Sequence, residues 1–337
     1  MRAVVFDRYG GAEELSVREL PDPTPGAGEA LVRVHASALN GFDPMMLAGS
    51  TGLNTPFPMT PCGDGAGEVV ALGASVDGAG LAIGARVMID PAIPGRGMFG
   101  ETEPGTCREL IAVPVGNLVP IPDGVTFSQA AAIPVAYGTA LKMIEDRGNV
   151  REGETVLVLG ATGGVGCCSV QVAKRAGAEV IACGRGAWKL ERLREIGADH
   201  VIDTSEADFV DAVRERCGRP RYQQPGGGVD VVVNYIGGDT WVKSLKVLTD
   251  GGRMLTCGAT AGYDPPTDIR YIWSFEQTII GSDGWTREGL VRLLDWAASG
   301  ELAPIIHAER PLDHTAVAMS ELIDRQVFGK SIVLPQA

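Results

Sequence analysis

Residues 156–166, Val156-Leu157-Val158-Leu159-Gly160-Ala161-Thr162-Gly163-Gly164-Val165-Gly166, constrain the fold more than any other stretch. Four consecutive apolar residues read as a strand buried on both faces. The glycines at 160, 163, 164 and 166 then make a tight turn, and an apolar-periodic run to about Ala176 reads as a helix. A strand, a glycine turn and a helix N-terminus gather backbone N–H groups at the positive end of a helix dipole, where a pyrophosphate binds. A Cβ here would block the turn, the approach of the ligand or the packing of helix on strand. The spacing is G-x-x-G-x-x-G rather than the commoner G-x-G-x-x-G, so the motif alone also fits an ordinary strand-to-helix turn.

The surrounding pattern supplies the context such a motif requires. Glu179 to Cys183 is a second short apolar strand. Residues 187–196 read as a helix with Leu190, Leu193 and Ile196 on one face, closed by Gly197. Further strands are expected at 200–203, 229–234, 253–256 and 278–281, with helices at 206–217 and around 239–248. This alternation is the signature of a doubly wound parallel sheet, an α/β fold whose ligand lies beyond the carboxyl ends of the strands.

The first 120 or so residues differ. Strands are expected at 2–6, 15–19, 29–38, 64–72 and 84–89, separated by turns rich in Gly and Pro such as Pro21-Asp22-Pro23-Thr24-Pro25-Gly26. They describe a compact β domain. The small, helix-prone stretch 128–132 after Pro120-Ile121-Pro122 reads as a bridge into the α/β domain. An amphipathic helix at 286–299, a helix around 313–326 and a strand at 331–334 return to the first domain. The expected division is 1–122 with 284–337 against 123–283. Residues 218–228 (GRPRYQQPGGG) read as a surface loop.

A chain of 337 residues accommodates two domains, and 45% hydrophobic residues suit a globular protein. The net charge of −13 disfavours a nucleic-acid footprint, which needs a basic face. No apolar run is long enough to span a membrane. Residues 1–6 enter a strand rather than a signal peptide, so a cytoplasmic location is expected. The seven cysteines, an odd number with no C-x-x-C, are expected to be reduced and mostly buried. Cys167-Cys168 is the exception to consider, because a helix N-terminus lowers a thiol pKa and favours oxidation. The four histidines show no pairing pattern.

The order of β domain, Pro-x-Pro bridge, G-A-x-G-G-V-G nucleotide domain and return resembles the medium-chain dehydrogenase/reductase superfamily along the whole chain. Local strings carry the resemblance: Ala38-Leu39-Asn40-Gly41-Phe42-Asp43, Pro61-Cys62-Gly63-Asp64-Gly65-Ala66-Gly67, Tyr137-Gly138-Thr139-Ala140, Gly197-Ala198-Asp199-His200-Val201-Ile202 and Phe328-Gly329-Lys330-Ser331. The resemblance implies a GroES-like β-rich catalytic domain joined to a Rossmann domain, and a homodimer. Zinc-dependent members hold their catalytic metal at positions that fall here at Asn40, Gly63 and about Ala131. None of the three is a thiolate, imidazole or carboxylate, so no metal is expected. A site built from Cys62, His35 and Asp64 is the weaker alternative. The chain is most similar to the zinc-free quinone oxidoreductase branch, which implies reduction of quinones or enones by NADPH. It departs from enoyl reductases at residues 44–56, which lack a tyrosine.

NAD-specific folds usually place an acid at the end of the second strand. Here that position is Gly184, followed by Arg185 and, on the next helix, Lys189, two cations suited to a 2′-phosphate. The cofactor is therefore expected to be NADPH. Its expected contacts are the turn (Gly160, Ala161, Thr162, Gly163, Gly164, Val165, Gly166), Gly184, Arg185 and Lys189, with Thr139, Ile236, Gly237, Gly258, Ala259 and Lys330 completing the set by resemblance. Hydride addition to an enone builds charge on a carbonyl oxygen, which needs hydrogen-bond donors. Asn40 and Tyr137 are the catalytic candidates. Phe42, Met45, Met46, Phe57, Trp273 and Phe275 are candidate walls for a flat small-molecule substrate. The competing functions are an alcohol or ketone dehydrogenase of the same superfamily and a non-enzymatic, crystallin-like NADPH-binding protein.

Overall fold

The computed structural model describes residues 1–76, 81–224 and 226–337; Pro225, within the expected surface loop, lies outside them. The chain forms two compact units, Met1–Ala136 with Thr286–Ala337, and Tyr137–Trp285. The sequence reading puts the divisions near 122 and 283. In the structure residues 123–136 stay with the first unit, because helix Phe127–Ala131 packs on strands Glu29–Ala38 and Asp64–Leu72. That helix is closed by a capping box. Thr126 accepts from the Gln129 N–H at 3.1 Å, and Gln129 accepts from the Thr126 N–H at 2.9 Å.

The second unit carries a six-stranded, wholly parallel sheet. From one edge the strands run His200–Asp203, Glu179–Gly184, Thr155–Val158, Val229–Val233, Leu248–Thr256 and Thr278–Gly281. In sequence order this is third, second, first, fourth, fifth, sixth. The winding direction thus reverses beside Thr155–Val158, and the crevice beyond that strand's carboxyl end is where such sheets bind ligands. Val156, Leu157 and Val158 are fully buried, and Leu157, Ile181, Val232 and Met254 share one core with Val213 and Leu245 from the covering helices. The fifth strand starts at Leu248 rather than Arg253. It carries Gly251-Gly252 through a register shift against Val229–Val233, an irregularity within the strand. Helix Pro134–Leu141 runs on into a π-helical turn, Lys142–Arg147, which the sequence pattern does not announce.

The first unit is a mixed sheet. Its strands run Ile306–Pro311, Lys330–Leu334, Glu29–Ala38, Asp64–Leu72, Arg86–Ile89 and Leu118–Pro120, with Leu110–Pro114 also paired to Glu29–Ala38. Ala38 stands opposite Asp64 on one side and Ile332 on the other. This register gathers three chain segments, near residues 40, 64 and 330, at one end of the sheet. The expected C-terminal helix is split into a 3-10 turn, Leu312–His314, and an α-helix, Thr315–Ile323.

A Cβ at Gly166 would lie 2.4 Å from the Gly160 carbonyl oxygen and 2.6 Å from Ala161 Cα, so helix Gly164–Arg175 sits hard against the turn. Gly166→Ala is expected to destabilise the fold by about 1–3 kcal/mol in chemical denaturation, because backbone must move. Gly116, whose Cβ would meet nothing within 4 Å, is the control; Gly116→Ala is expected to stay within about 0.5 kcal/mol.

Candidate active site

The glycine turn has the form expected of a phosphate cradle. Gly160 has φ +68°, and its carbonyl accepts from the Tyr235 hydroxyl at 2.6 Å. Gly163 is the N-cap of helix Gly164–Arg175 and brings no side chain to it, while within the first turn the Gly166 N–H donates to the Tyr235 hydroxyl. Two further loops sit at the carboxyl ends of neighbouring strands and are stitched together. The Ala261 N–H donates to the Ile236 carbonyl at 2.7 Å, and the Gly238 N–H to the Gly262 carbonyl at 2.9 Å. They bring Ile236, Gly237, Gly258 and Ala259 together. A Cβ at Gly237 would lie 2.3 Å from the Gly262 carbonyl oxygen, so this approach requires glycine.

Asn234 organises the first of these loops. Its buried Oδ1 accepts from the N–H groups of Ile236 (3.0 Å) and Gly237 (3.1 Å) and the Thr240 hydroxyl (3.2 Å), while Nδ2 donates to Ser244 Oγ at 2.9 Å. Sequence reasoning treats Asn234 only as a strand end and does not single out Tyr235. The available signal is a polar residue closing an apolar strand just before Gly237-Gly238.

At the end of the second strand, a Cβ on Gly184 would lie 2.9 Å from Thr162 Cγ2 and 3.2 Å from Leu193 Cδ1, so a larger side chain there would require the Thr162 side chain to shift. Arg185 is exposed. Lys189 is largely buried, with its ammonium 5.3 Å from the Trp188 ring centroid, and burial lowers its pKa. Asp203 fixes the intervening loop by accepting from the Gly186 N–H at 3.2 Å; the Ser205 hydroxyl, foremost, holds its carboxylate below the usual range. Gly184, Arg185 and Lys189 thus stand together at the end of the second strand and the start of the next helix.

In the first unit, the sheet register builds a buried polar cluster. Asn40 Nδ2 donates to Asp64 Oδ2 at 2.9 Å. The Lys330 ammonium donates to the same carboxylate oxygen at 3.1 Å and also to Asn40 Oδ1. Asp64 Oδ1 accepts from the Val135 N–H at 3.0 Å. Asp43 lies beneath, accepting from the backbone N–H groups of Asn40 (2.6 Å) and Cys62 (2.9 Å). Exposure falls from 8% at Asn40 to 2% at Lys330 and zero at Asp64. Lys330, a residue expected at the cofactor by resemblance, is buried and bonded to Asn40 and Asp64. Among the described residues no three His, Cys, Asp or Glu side chains converge to hold a metal ion, and His35 faces Glu68 at 3.9 Å and stacks on Phe127.

Tyr137 has no exposed surface, and Thr139 is buried in the same helix. Cys167 and Cys168 are wholly buried. Burial raises the Cys168 thiol pKa well above the ordinary value, which overturns the expectation of a thiol activated by the helix N-terminus. Of the candidate pocket walls, Met46 belongs to the core, Phe57 packs edge-on against Phe6 and Tyr9, Phe275 stacks with Tyr271, and Trp273 is exposed.

A family profile described as "Alcohol dehydrogenase GroES-like domain" matches residues 26–123, and one described as "Zinc-binding dehydrogenase" matches residues 164–299. A solved structure described as an NAD-dependent alcohol dehydrogenase is 34% identical, covers 99% of each chain and superposes with a TM-score of 0.91. This chain belongs to the medium-chain dehydrogenase/reductase superfamily. The quinone oxidoreductase of Mus musculus is 28% identical over 99% of this chain and 98% of its own. The synaptic vesicle membrane protein VAT-1 homolog of Homo sapiens is 28% identical over 99% and 86%. These relatives make the chain a quinone oxidoreductase-like medium-chain dehydrogenase/reductase, an oxidoreductase in a family that uses NAD(P).

In this medium-chain dehydrogenase/reductase, burial pushes Asp43 up to about 6, against the opposing effect of the Asn40 and Cys62 N–H groups. Its folded pKa then exceeds the unfolded value of about 3.9. Between those two values the folded state keeps a proton the unfolded state has lost. The group's contribution to stability is therefore full below about pH 4 and is lost as pH rises through 6, by about 3 kcal/mol. Carbon-13 NMR of the side-chain carboxyl is expected to give a midpoint near 6; a midpoint at or below 4 contradicts this.

Proposed function

We propose that this chain is a zinc-independent, NADPH-dependent reductase that transfers hydride to a quinone or an α,β-unsaturated carbonyl, working as a homodimer. The observation that carries the reading is the buried Asn40–Asp64–Lys330 cluster. Asn40, Gly63 and Ala131 provide none of the thiolate, imidazole or carboxylate ligands that zinc needs. The oxygens that remain, on Asp64 and Asn40, already accept from an ammonium. A divalent cation beside Lys330 would meet like charge in a low-dielectric interior.

NADPH supplies the hydride when bound. Every other task falls to the chain. The glycine turn and the first amides of helix Gly164–Arg175 hold the pyrophosphate, and the loops fixed by Asn234 hold the nicotinamide end. Arg185 and Lys189 pair with the 2′-phosphate, where Gly184 leaves no opposing acid. As hydride reaches the substrate carbon, charge grows on the carbonyl oxygen, and the Asn40 carboxamide donates to it.

The likeness to a structure described as an NAD-dependent alcohol dehydrogenase favours a second reading, dehydrogenation of an alcohol with NAD. Purified, chelator-treated protein separates the two. It is expected to oxidise NADPH with a quinone or simple enone and to use NADH far less well; activity lost on chelation and restored by zinc would favour the alcohol dehydrogenase. Arg185→Ala is expected to raise the NADPH KM about ten-fold or more, the size of one lost charged hydrogen bond, with the NADH KM unchanged.

A further inference from the structure

A carboxamide presents oxygen and NH2 groups of nearly the same shape, so its partners decide which way it faces. Around Asn40 they decide it twice. An ammonium can only donate, and the carboxylate of Asp64 can only accept. Lys330 Nζ donates to Asn40 Oδ1, and Asn40 Nδ2 donates to Asp64 Oδ2 at 2.9 Å. A flipped amide would set NH2 against ammonium and oxygen against carboxylate, turning both contacts repulsive. The backbone is tethered as well, since Asp43 holds the Asn40 N–H at 2.6 Å. Lys330 itself is fixed by its second bond, to Asp64 Oδ2 at 3.1 Å. Nδ2 carries two hydrogens and Asp64 takes one. Asn40 is also the most exposed member of the triangle, at 8% against 2% for Lys330 and zero for Asp64.

We infer that Lys330 is a positioning residue that pins the Asn40 carboxamide, so that its second Nδ2–H is held for the carbonyl oxygen of the substrate. The identity of that oxygen rests on the reductase reading; the pin does not. In this role Lys330, 2% exposed and bonded to Asn40 and Asp64, acts through Asn40. The arrangement gives a lysine that is costly to bury a second task beside answering the charge on Asp64. A neutral donor in its place would leave the buried charge on Asp64 without an opposite charge.

The test uses Lys330→Met, and Lys330→Met/Asp64→Asn so that no unpaired buried charge threatens folding. With protein labelled with nitrogen-15 at asparagine, the Asn40 pair is assigned by its absence in Asn40→Ala. The wild-type protein is expected to show one Nδ2 proton exchanging much more slowly than the other, a difference already reduced in Lys330→Met, where Asp64 is intact, and lost in the double variant; a difference unchanged in Lys330→Met would overturn the inference. In kinetics, the double variant is expected to lower kcat for enone reduction roughly 100-fold, the scale for one oxyanion donor, with the NADPH KM unchanged. Adding Asn40→Ala is expected to cost nothing further, because both changes remove the same donor. Losses that multiply, or an Asn40 amide pair unchanged by the double variant, would overturn the inference. A wild-type protein that reduces neither quinone nor enone overturns the reductase reading alone, and the amide resonances still decide whether Lys330 pins Asn40.

Discussion

Asp64 carries a carboxylate with no exposed surface, and the catalytic unit depends on how that charge is answered. Burying an ion costs several kcal/mol even after relaxation, and the cost is recovered only when every lone pair finds a donor. Here the donors are the Lys330 ammonium, the Asn40 amide and the Val135 N–H. They arrive from three places in the chain because Ala38 is paired with Asp64 on one side and Ile332 on the other. Strand register therefore builds the cluster, and a one-residue slip would turn its side chains to the wrong face. A buried ion pair adds little net stability, but it selects one arrangement sharply, which is what a polarising amide requires.

The nucleotide-binding unit solves a different problem with different means. Its site is backbone. Glycine at 166 and 237 lets main chain approach main chain more closely than any Cβ allows, Gly160 adopts a left-handed φ of +68°, and in the proposed function the amides of the turn provide the contacts. Side chains act behind them: Tyr235 fastens the Gly160 carbonyl, and Asn234 fixes the adjoining loop. Neither residue needs to touch a ligand to matter, because both hold the loops that do.

The parts of this molecule that are legible in the sequence are those dictated locally. The glycine turn is readable because only one residue type satisfies its geometry, and the alternation of strand and helix because periodicity is a local property. Asn40 is found through its neighbours in the chain and the resemblance they carry. Its partner Lys330 is 290 residues away, and no local pattern shows that the two will bond; the lysine enters the expected site only through the resemblance. The fifth strand is expected only from Arg253 because a glycine pair breaks the apolar pattern, whereas in the structure the strand continues through it from Leu248 with a register shift. Cys168 reads as activated because it follows a helix N-terminus, an effect that complete burial outweighs.

The central claim is that an ammonium, not a metal ion, answers the charge at the catalytic end of the sheet. Elemental analysis of the protein as purified, without chelator and alongside an enone-reduction assay, tests it most directly. The account predicts far less than one zinc per chain, with activity that follows protein concentration rather than metal content. One tightly held zinc per chain, with activity proportional to it, would contradict the account.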